Sequence, residues 1–375
     1  MSACLRVSLL MFLTTALLQC PTDVACCLAS EAHCGTDTVR PRSLGRSVLS
    51  YAGRRDRRSA SDHWQPIRIK ASIQDLDDIV DTSEVERLKV IINGAISIIR
   101  KILTVVPVSG PLLMSRAEDA CQLFIVGPNT GKCQEVSRGY EGERCLDDFM
   151  IPNDHLEGLW IWNASHPDPI GTVYPDGGGL ADTDTVLYIK AEHTAQCTSG
   201  QIVAYAAYCK LDQNDRPIAG VINFCPRHLR DELYDEPKFI LLAVHEIFHV
   251  LGFSSSLFDK FKECTESEDG LSCVDRCTTT GTDSQGLTRL MTPAVTAQAQ
   301  RHFNCSEAGF GGPLENQAGD GVSSHWETRM MYGSIMAPIV NQPHQTFLDN
   351  LTLAVFEDSG WYQVNYEHAQ DFPWG

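Results

Sequence analysis

Two histidines four residues apart, with a glutamate between them, interrupt an otherwise apolar stretch: Leu241-Leu242-Ala243-Val244-His245-Glu246-Ile247-Phe248-His249-Val250-Leu251-Gly252-Phe253. Asp235 fits a helix cap, Pro237 the first turn and Gly252 the stop, so the pattern predicts a helix ending at Leu251. Four residues make one turn, which places His245 and His249 on one face. Leu241, Leu242, Val244, Ile247, Phe248 and Leu251 require that this helix be buried on several sides. Two imidazoles and a carboxylate cannot be left unpaired in such surroundings. The chain must therefore fold its core around a polar centre.

A zinc ion is an economical partner for that centre. His-Glu-x-x-His on a helix offers two ligands, with Glu246 beside them as a general base. A catalytic zinc needs three protein ligands and one open position for water. The position three after Gly252 is Ser255, which is not a ligand, so the third must come from elsewhere. His325 in Ser323-Ser324-His325-Trp326-Glu327 is the candidate, followed 11 residues later by Met336 in Ser334-Ile335-Met336-Ala337-Pro338. His302 precedes a glycosylation sequon and His344 follows Pro343, which favours the surface for both. His193 and His228 have no metal spacing, and His368 only flanks the region. One Zn²⁺ per chain is expected.

The N-terminus sets the compartment. Arg6 precedes an uncharged apolar run, Val7 to Leu18, of 12 residues. That is too short to span about 30 Å of hydrocarbon and matches a secretory signal. Ala25 and Ala29 are small-residue cleavage candidates. The cluster Arg54-Arg55-Asp56-Arg57-Arg58 reads as a processing site, which divides the chain into a signal (1–25), a pro-segment (26–58) and a body (59–375). The net charge of −18 conceals an asymmetry: residues 1–58 carry eight Arg/Lys against four Asp/Glu, leaving −22 on the body. So acidic a surface argues against a nucleic-acid partner. Of 15 cysteines, ten fall in the body, an even number that suits a disulfide framework in an oxidising compartment. Asn163, Asn304 and Asn350 head N-glycosylation sequons.

Elsewhere, Ile67–Ala71, Thr185–Ala191 and Ile218–Phe224 read as strands. Ser83 to Val105 reads as an amphipathic helix, with Ser83 and Glu86 resembling a capping box. Asn350–Asp358 reads as helix, and the Cys-, Thr- and Gly-rich stretch 263–300 as loop. Gly177-Gly178-Gly179 lacks the lysine and helix of a phosphate-binding loop. No transmembrane segment follows the signal.

His245 to Phe253, the histidine beside Trp326, and Met336-Ala337-Pro338 together resemble the metzincin proteases, and within them the leishmanolysin family. Similar stretches are Arg216–Asn223, Leu314–Gln317 and Phe356–Tyr362. The likeness is close over about 185–375 and loose over 59–184. It implies an α+β fold. A mixed twisted sheet and the zinc helix would form the upper part (59–252), and an irregular, mainly helical lower part (253–375) would carry the third histidine. It implies a secreted or cell-surface zinc metalloendopeptidase acting on proteins or peptides, with relatives linked to adhesion and migration. His245, His249 and His325 would be ligands, Glu246 the base and Met336 the Met-turn. Cys34, in His33-Cys34-Gly35-Thr36-Asp37, would block the zinc in a zymogen; the alternative is a disulfide to Cys26 or Cys27. Cys145 would pair with Cys209. Substrate would lie along an edge strand, for which Thr185–Ala191 is the candidate. Such proteins continue past the position of Gly375 into a cysteine-rich domain, often lipid-anchored. A short form or part of a longer chain is therefore expected, with Cys305 the cysteine that would lack its partner. The alternative function is a non-catalytic zinc-containing adhesion or binding protein, or an inactive truncated form.

Overall fold

The computed structural model describes residues 33–34, 36–38, 46–49, 64–73, 81–146, 149–230, 234–267, 270–276, 278–316 and 321–373. The expected signal, the cluster Arg54–Arg58, and Cys26 and Cys27 lie outside them. The upper part is built on a six-stranded mixed sheet. Its strands are β1 (His33–Cys34), β2 (Arg46–Ser47), β3 (Ile69–Ile73), β4 (Thr185–Lys190), β5 (Ile202–Asp212) and β6 (Pro217–Phe224). The order is β1-β5-β6-β4-β3, with β2 also pairing to β5. β3, β4 and β6 run parallel, β5 runs antiparallel to β6, and β1 and β2 run parallel to β5.

Alternate residues of a strand face opposite sides. Leu187 and Ile189 join one core with the helices α1 (Thr82–Ile102) and α2 (Glu236–Leu251), while Val186 and Tyr188 join a second core with Leu112, Phe149 and Leu156. The sheet is thus covered on both faces, which is why β4, β5 and β6 are buried at nearly every position and mostly apolar.

Several expectations need correction. β4 is an interior strand, flanked by β3 and β6, and not the edge. The outer full-length strand on the cleft side is β5, which was not anticipated. All but one of its 11 residues are buried, so it shows no alternation to read. α1 starts at Thr82, capped by Asp81, whose carboxylate accepts from Ser83 N at 2.9 Å; Ser83 is not the cap. It stops at Ile102, because Leu103–Val105 leaves as a strand between Gln65–Pro66 and Gln363–Val364.

The lower part carries more strand than expected. Lys262–Ser267 and Gly270–Asp275 form a hairpin joined by the Cys264–Cys273 disulfide. A four-stranded antiparallel sheet follows in the order β7 (Thr280–Thr282), β8 (Thr288–Leu290), β9 (Gly312–Asn316), β10 (Val322–Trp326). Two helices complete it, α3 (Pro293–His302) and α4 (Asn350–Asp358). The composition of 263–300 resembles loop, but threonine also favours strands, and Pro293 is placed at a helix start. One continuous core runs from Ile67 through Phe248 and Trp326 to Tyr362, uniting upper and lower parts.

Cys121–Cys133, Cys145–Cys209 and Cys197–Cys225 are also bonded. Cys305 is disulfide-bonded as well, so it does not lack a partner. Asn163 and Asn304 are exposed, whereas Thr352 of the third sequon is buried. Among the described residues, no helix is long and apolar enough to cross a membrane.

α2 rests directly on β6. A Cβ on Gly220 would meet Val250 Cγ1 at 2.3 Å and Ala207 O at 2.9 Å, so the helix lies where only hydrogen fits. Gly220→Ala is expected to lower unfolding stability by about 1–3 kcal/mol through overpacking. Denaturant midpoints would show it, and the displaced α2 would also hold less zinc per chain.

Candidate metal centre

α2 begins at its cap, where Asp235 accepts from Lys238 N at 3.2 Å. It ends at Leu251, and Gly252 N still donates to Phe248 O at 3.1 Å. The turn after Gly252 brings the carbonyl of Phe253 back to His249, whose Nδ1 lies 2.7 Å from it. His245 Nδ1 contacts the carbonyl of Ile335, inside the turn containing Met336. His325 Nδ1 lies 2.8 Å from Asp37 Oδ2.

These three partners decide the tautomers. A carbonyl or ionised carboxylate can only accept, so each Nδ1 carries the proton and each Nε2 presents a bare lone pair. Yet His249 Nε2 lies 3.0 Å from His245 Nε2 and 3.1 Å from His325 Nε2. Three lone pairs so close repel one another unless a cation lies among them. Burial keeps the two helix imidazoles in the neutral form: it pushes His245 down to about 3 and His249 well below the ordinary imidazole value.

The fourth group is Cys34. Its Sγ lies 3.5 Å from His249 Nε2, and one donor atom from each of the four residues falls within 4.8 Å of every other. Zinc binds nitrogen at about 2.0–2.1 Å and thiolate sulfur at about 2.3 Å, so a tetrahedron has edges of roughly 3.3 and 3.6 Å. The three separations of 3.0, 3.1 and 3.5 Å lie within a few tenths of an ångström of those edges, and the donor set of three imidazoles and one thiol suits zinc. With no cation counted, burial and then the charge of Glu246 raise the Cys34 thiol well above its usual value. A divalent ion reverses that order.

Glu246 is fully buried beside this set, and burial pushes its carboxyl up to about 8. Oε2 accepts from Thr36 Oγ1 at 3.2 Å, whereas Oε1 has no hydrogen-bond partner. Cys34, Thr36 and Asp37 therefore each reach this group: the Cys34 thiol beside His249, Thr36 on the Glu246 carboxylate, and Asp37 behind His325. Asp37 also accepts from Ser324 N and Ser323 Oγ, each at 2.8 Å. Burial alone would raise its carboxyl, but the His325 bond and charge and these donors hold it well below the usual range. The segment lies between two walls. His33 N donates to Gln201 O at 2.8 Å and Cys34 N to Pro338 O at 3.0 Å.

The other wall of the site is held by a buried carboxylate that sequence reasoning did not single out. Asp349 caps α4 and accepts from Thr352 N at 2.8 Å and Ser334 Oγ at 2.6 Å. Ser334 opens the turn whose Ile335 carbonyl holds His245. Thr352 Oγ1 in turn accepts from Trp326 Nε1 at 2.9 Å, next to His325, and Trp326 N donates to Met336 O at 3.0 Å. Ser255, where a third histidine was absent, instead ties its backbone to Ser324 Oγ at 3.0 Å. The only sequence signal for Asp349 was its position before a helical stretch. Asp37 and Thr36 stood next to Cys34 but had no pattern of their own. His302 lies elsewhere, its ring 5.2 Å from that of Phe372.

The leishmanolysin family model matches residues 173–375. The chain is 36% identical, over 99% of its length, to a ciliated left-right organizer metallopeptidase of Xenopus laevis, of which it covers 52%. The chain belongs to the leishmanolysin family. It is 40% identical to the protein of the same name from Mus musculus, over 74% of this chain and 40% of that one. A leishmanolysin-like peptidase of Drosophila pseudoobscura pseudoobscura is 28% identical over 85% of this chain and 50% of its own. The chain spans about half the length of these relatives. Membership implies a metal ion, and the His/Cys group is where this leishmanolysin-family chain could hold it.

Outer hydrogen-bond partners orient metal ligands and commonly contribute 10–100-fold to affinity. Asp349→Ala is expected to weaken zinc binding by about that factor. Competition against a chromophoric chelator would measure it, with Cys145–Cys209 intact as the folding control.

Proposed function

We propose that this chain is a secreted zinc metalloendopeptidase kept latent by its own pro-segment. The observation that carries the reading is the convergence of three bare Nε2 atoms beside a buried carboxylate, with a free thiol at the fourth vertex. His245, His249 and His325 hold the metal, and Met336 forms the floor beneath it. The four cysteine pairs named above, together with the disulfide-bonded Cys305, suit an oxidising, extracellular compartment. The body begins after Arg58, with residues 59–252 and 253–375 as the two sides of the cleft.

Zinc bound here supplies an acidified water and a polarised scissile carbonyl. The protein supplies the proton path. Glu246, through the free Oε1, takes a proton from the attacking water and delivers it to the leaving amine nitrogen, while hydroxide oxygen bonds to the carbonyl carbon. Burial keeps His245 and His249 neutral, and the Ile335 and Phe253 carbonyls fix their protons on Nδ1. With residues 33–37 in place, Cys34 occupies the open vertex and Thr36 engages the carboxylate, so water and substrate are both excluded. Cleavage in the Arg54–Arg58 cluster would release this segment. The relatives are named for the ciliated left-right organizer, and we extend the reading to that setting. The intact Glu246 favours catalysis over a zinc-holding adhesion role, since ligation alone does not need it.

Glu246→Gln is expected to keep one zinc per chain and to lose about 10²–10⁴-fold in casein cleavage. Zinc bound with no cleavage by the processed wild type would support the binding-protein alternative. Cys34→Ala in the full chain is expected to raise activity without a thiol reagent, whereas the wild type requires a mercurial or trypsin. Equal latency of the two chains would remove Cys34 from this role.

A further inference from the structure

The pro-segment touches the body at a second place, far from the metal centre. β1 pairs with β5 at Ile202 and Ala204, and β2 pairs with the other end of the same strand, Arg46 against Leu211 and Ser47 against Asp212. Ala204 and Leu211 are roughly 23 Å apart along the strand at about 3.3 Å per residue. Burial alternates through this second contact: Ser47 and Leu49 are buried, whereas Arg46 and Val48 are exposed. That is the period of a strand laid against a body.

The two buried positions are held from several sides. Ser47 Oγ accepts from Ser115 N at 3.0 Å. Leu49 joins the second core, with Leu112, Met114, Leu180 and Ile218. Its backbone is bracketed by one side-chain amide: Leu49 N donates to Gln213 Oε1 at 2.9 Å, and Gln213 Nε2 donates to Leu49 O at 3.0 Å. Arg46 pairs with Asp215, which Lys262 also holds. The Arg46 side chain is largely exposed, so this pair contributes little beside the buried contacts. None of these partners belongs to the metal centre. The Arg54–Arg58 cluster follows both contacts in the chain, so hydrolysis there removes the covalent tether and leaves the contacts in place.

We propose that the face made by Ser115, residues 211–215 and the second core is a docking site for the cut pro-segment, which stays on the body as a separate inhibitory peptide. The proposal rests on the peptidase reading above. The site reads an extended chain by strand addition, by the Gln213 bracket, by a small buried position and by a socket for leucine two residues on. Release then has two stages: the cut, and the later departure of residues 46–49. The two contacts act as one bivalent ligand. While residues 46–49 are docked, residues 33–37 remain at high local concentration beside the metal centre, so Cys34 and Thr36 rebind each time they let go. The lifetime of the distant contact, and not the cut alone, sets when the cleft opens.

To test this, the full zinc-loaded chain is cut with a dibasic-specific convertase and passed through gel filtration, with intact masses read across the peak. The wild-type pro-segment is expected to co-elute with the body, and casein cleavage to stay at the level of the uncut chain. Leu49→Asp places an unpaired charge in the second core, so its pro-segment is expected to elute apart and activity to appear with the cut. Gln213→Ala adds no charge and is expected to shorten the latency of the cut chain about tenfold, which keeps the test open if Leu49→Asp fails to fold. A labelled peptide of residues 33–51 is expected to bind the freed body about 10²-fold more tightly than one of residues 33–40. A wild-type pro-segment that elutes apart as soon as it is cut, or a longer peptide that binds no better than the shorter, overturns the proposal. Binding is read without activity: a body that holds the longer peptide yet cuts nothing once freed supports the docking site and sinks the peptidase reading.

Discussion

Everything in this molecule turns on three imidazoles that point unprotonated nitrogens at one another. That arrangement is repulsive by itself, and it exists because each ring is fixed from behind. The Ile335 and Phe253 carbonyls hold the two helix rings, and Asp37 holds the third. The fold serves to place those three acceptors. Gly220 lets α2 descend onto the sheet, the turn at Gly252 returns the Phe253 carbonyl to the helix, and the Ser334–Met336 turn presents the Ile335 carbonyl.

Of these contacts only that between Phe253 and His249, four residues apart, is local. His325 reaches His249 across 76 residues, and Ile335 reaches His245 across 90. Contacts between such distant parts of the chain need rigid neighbours. Aromatic packing supplies the rigidity here. Trp326, beside His325, stands edge-on to Phe253 at 4.8 Å, and Phe248 packs on Phe356 at 4.6 Å. Pairs of this kind contribute about 0.5–1.5 kcal/mol each beyond their buried area, enough to fix ring orientation around a polar centre.

What could be read in advance follows from how each residue signals. His245, Glu246 and His249 announce themselves because charged groups stand out on an apolar helix. α2 was legible because its cap Asp235, its first-turn Pro237 and its stop at Gly252 agree. β5 was not, since burial on both faces erases the alternation by which strands are recognised. The segment 263–300 misled because disulfide-stapled hairpins share their composition with loops. His325 and Met336 rested on resemblance, which no spacing rule could have replaced. Asp349, Thr36 and Asp37 act through positions that only the folded chain brings together. A lone acid 288 residues from the imidazole it holds has no sequence signature.

The contact between Asp37 and His325 bears on how the chain comes to own its metal. Cys34 and Asp37 bring the group a fourth donor atom and a carboxylate behind one of the other three. On the proposed reading, removing them would leave three donors and would oblige His325 to find a new acceptor or accept water. The segment would then be more than a stopper: it would complete the cage in which an ion is first held.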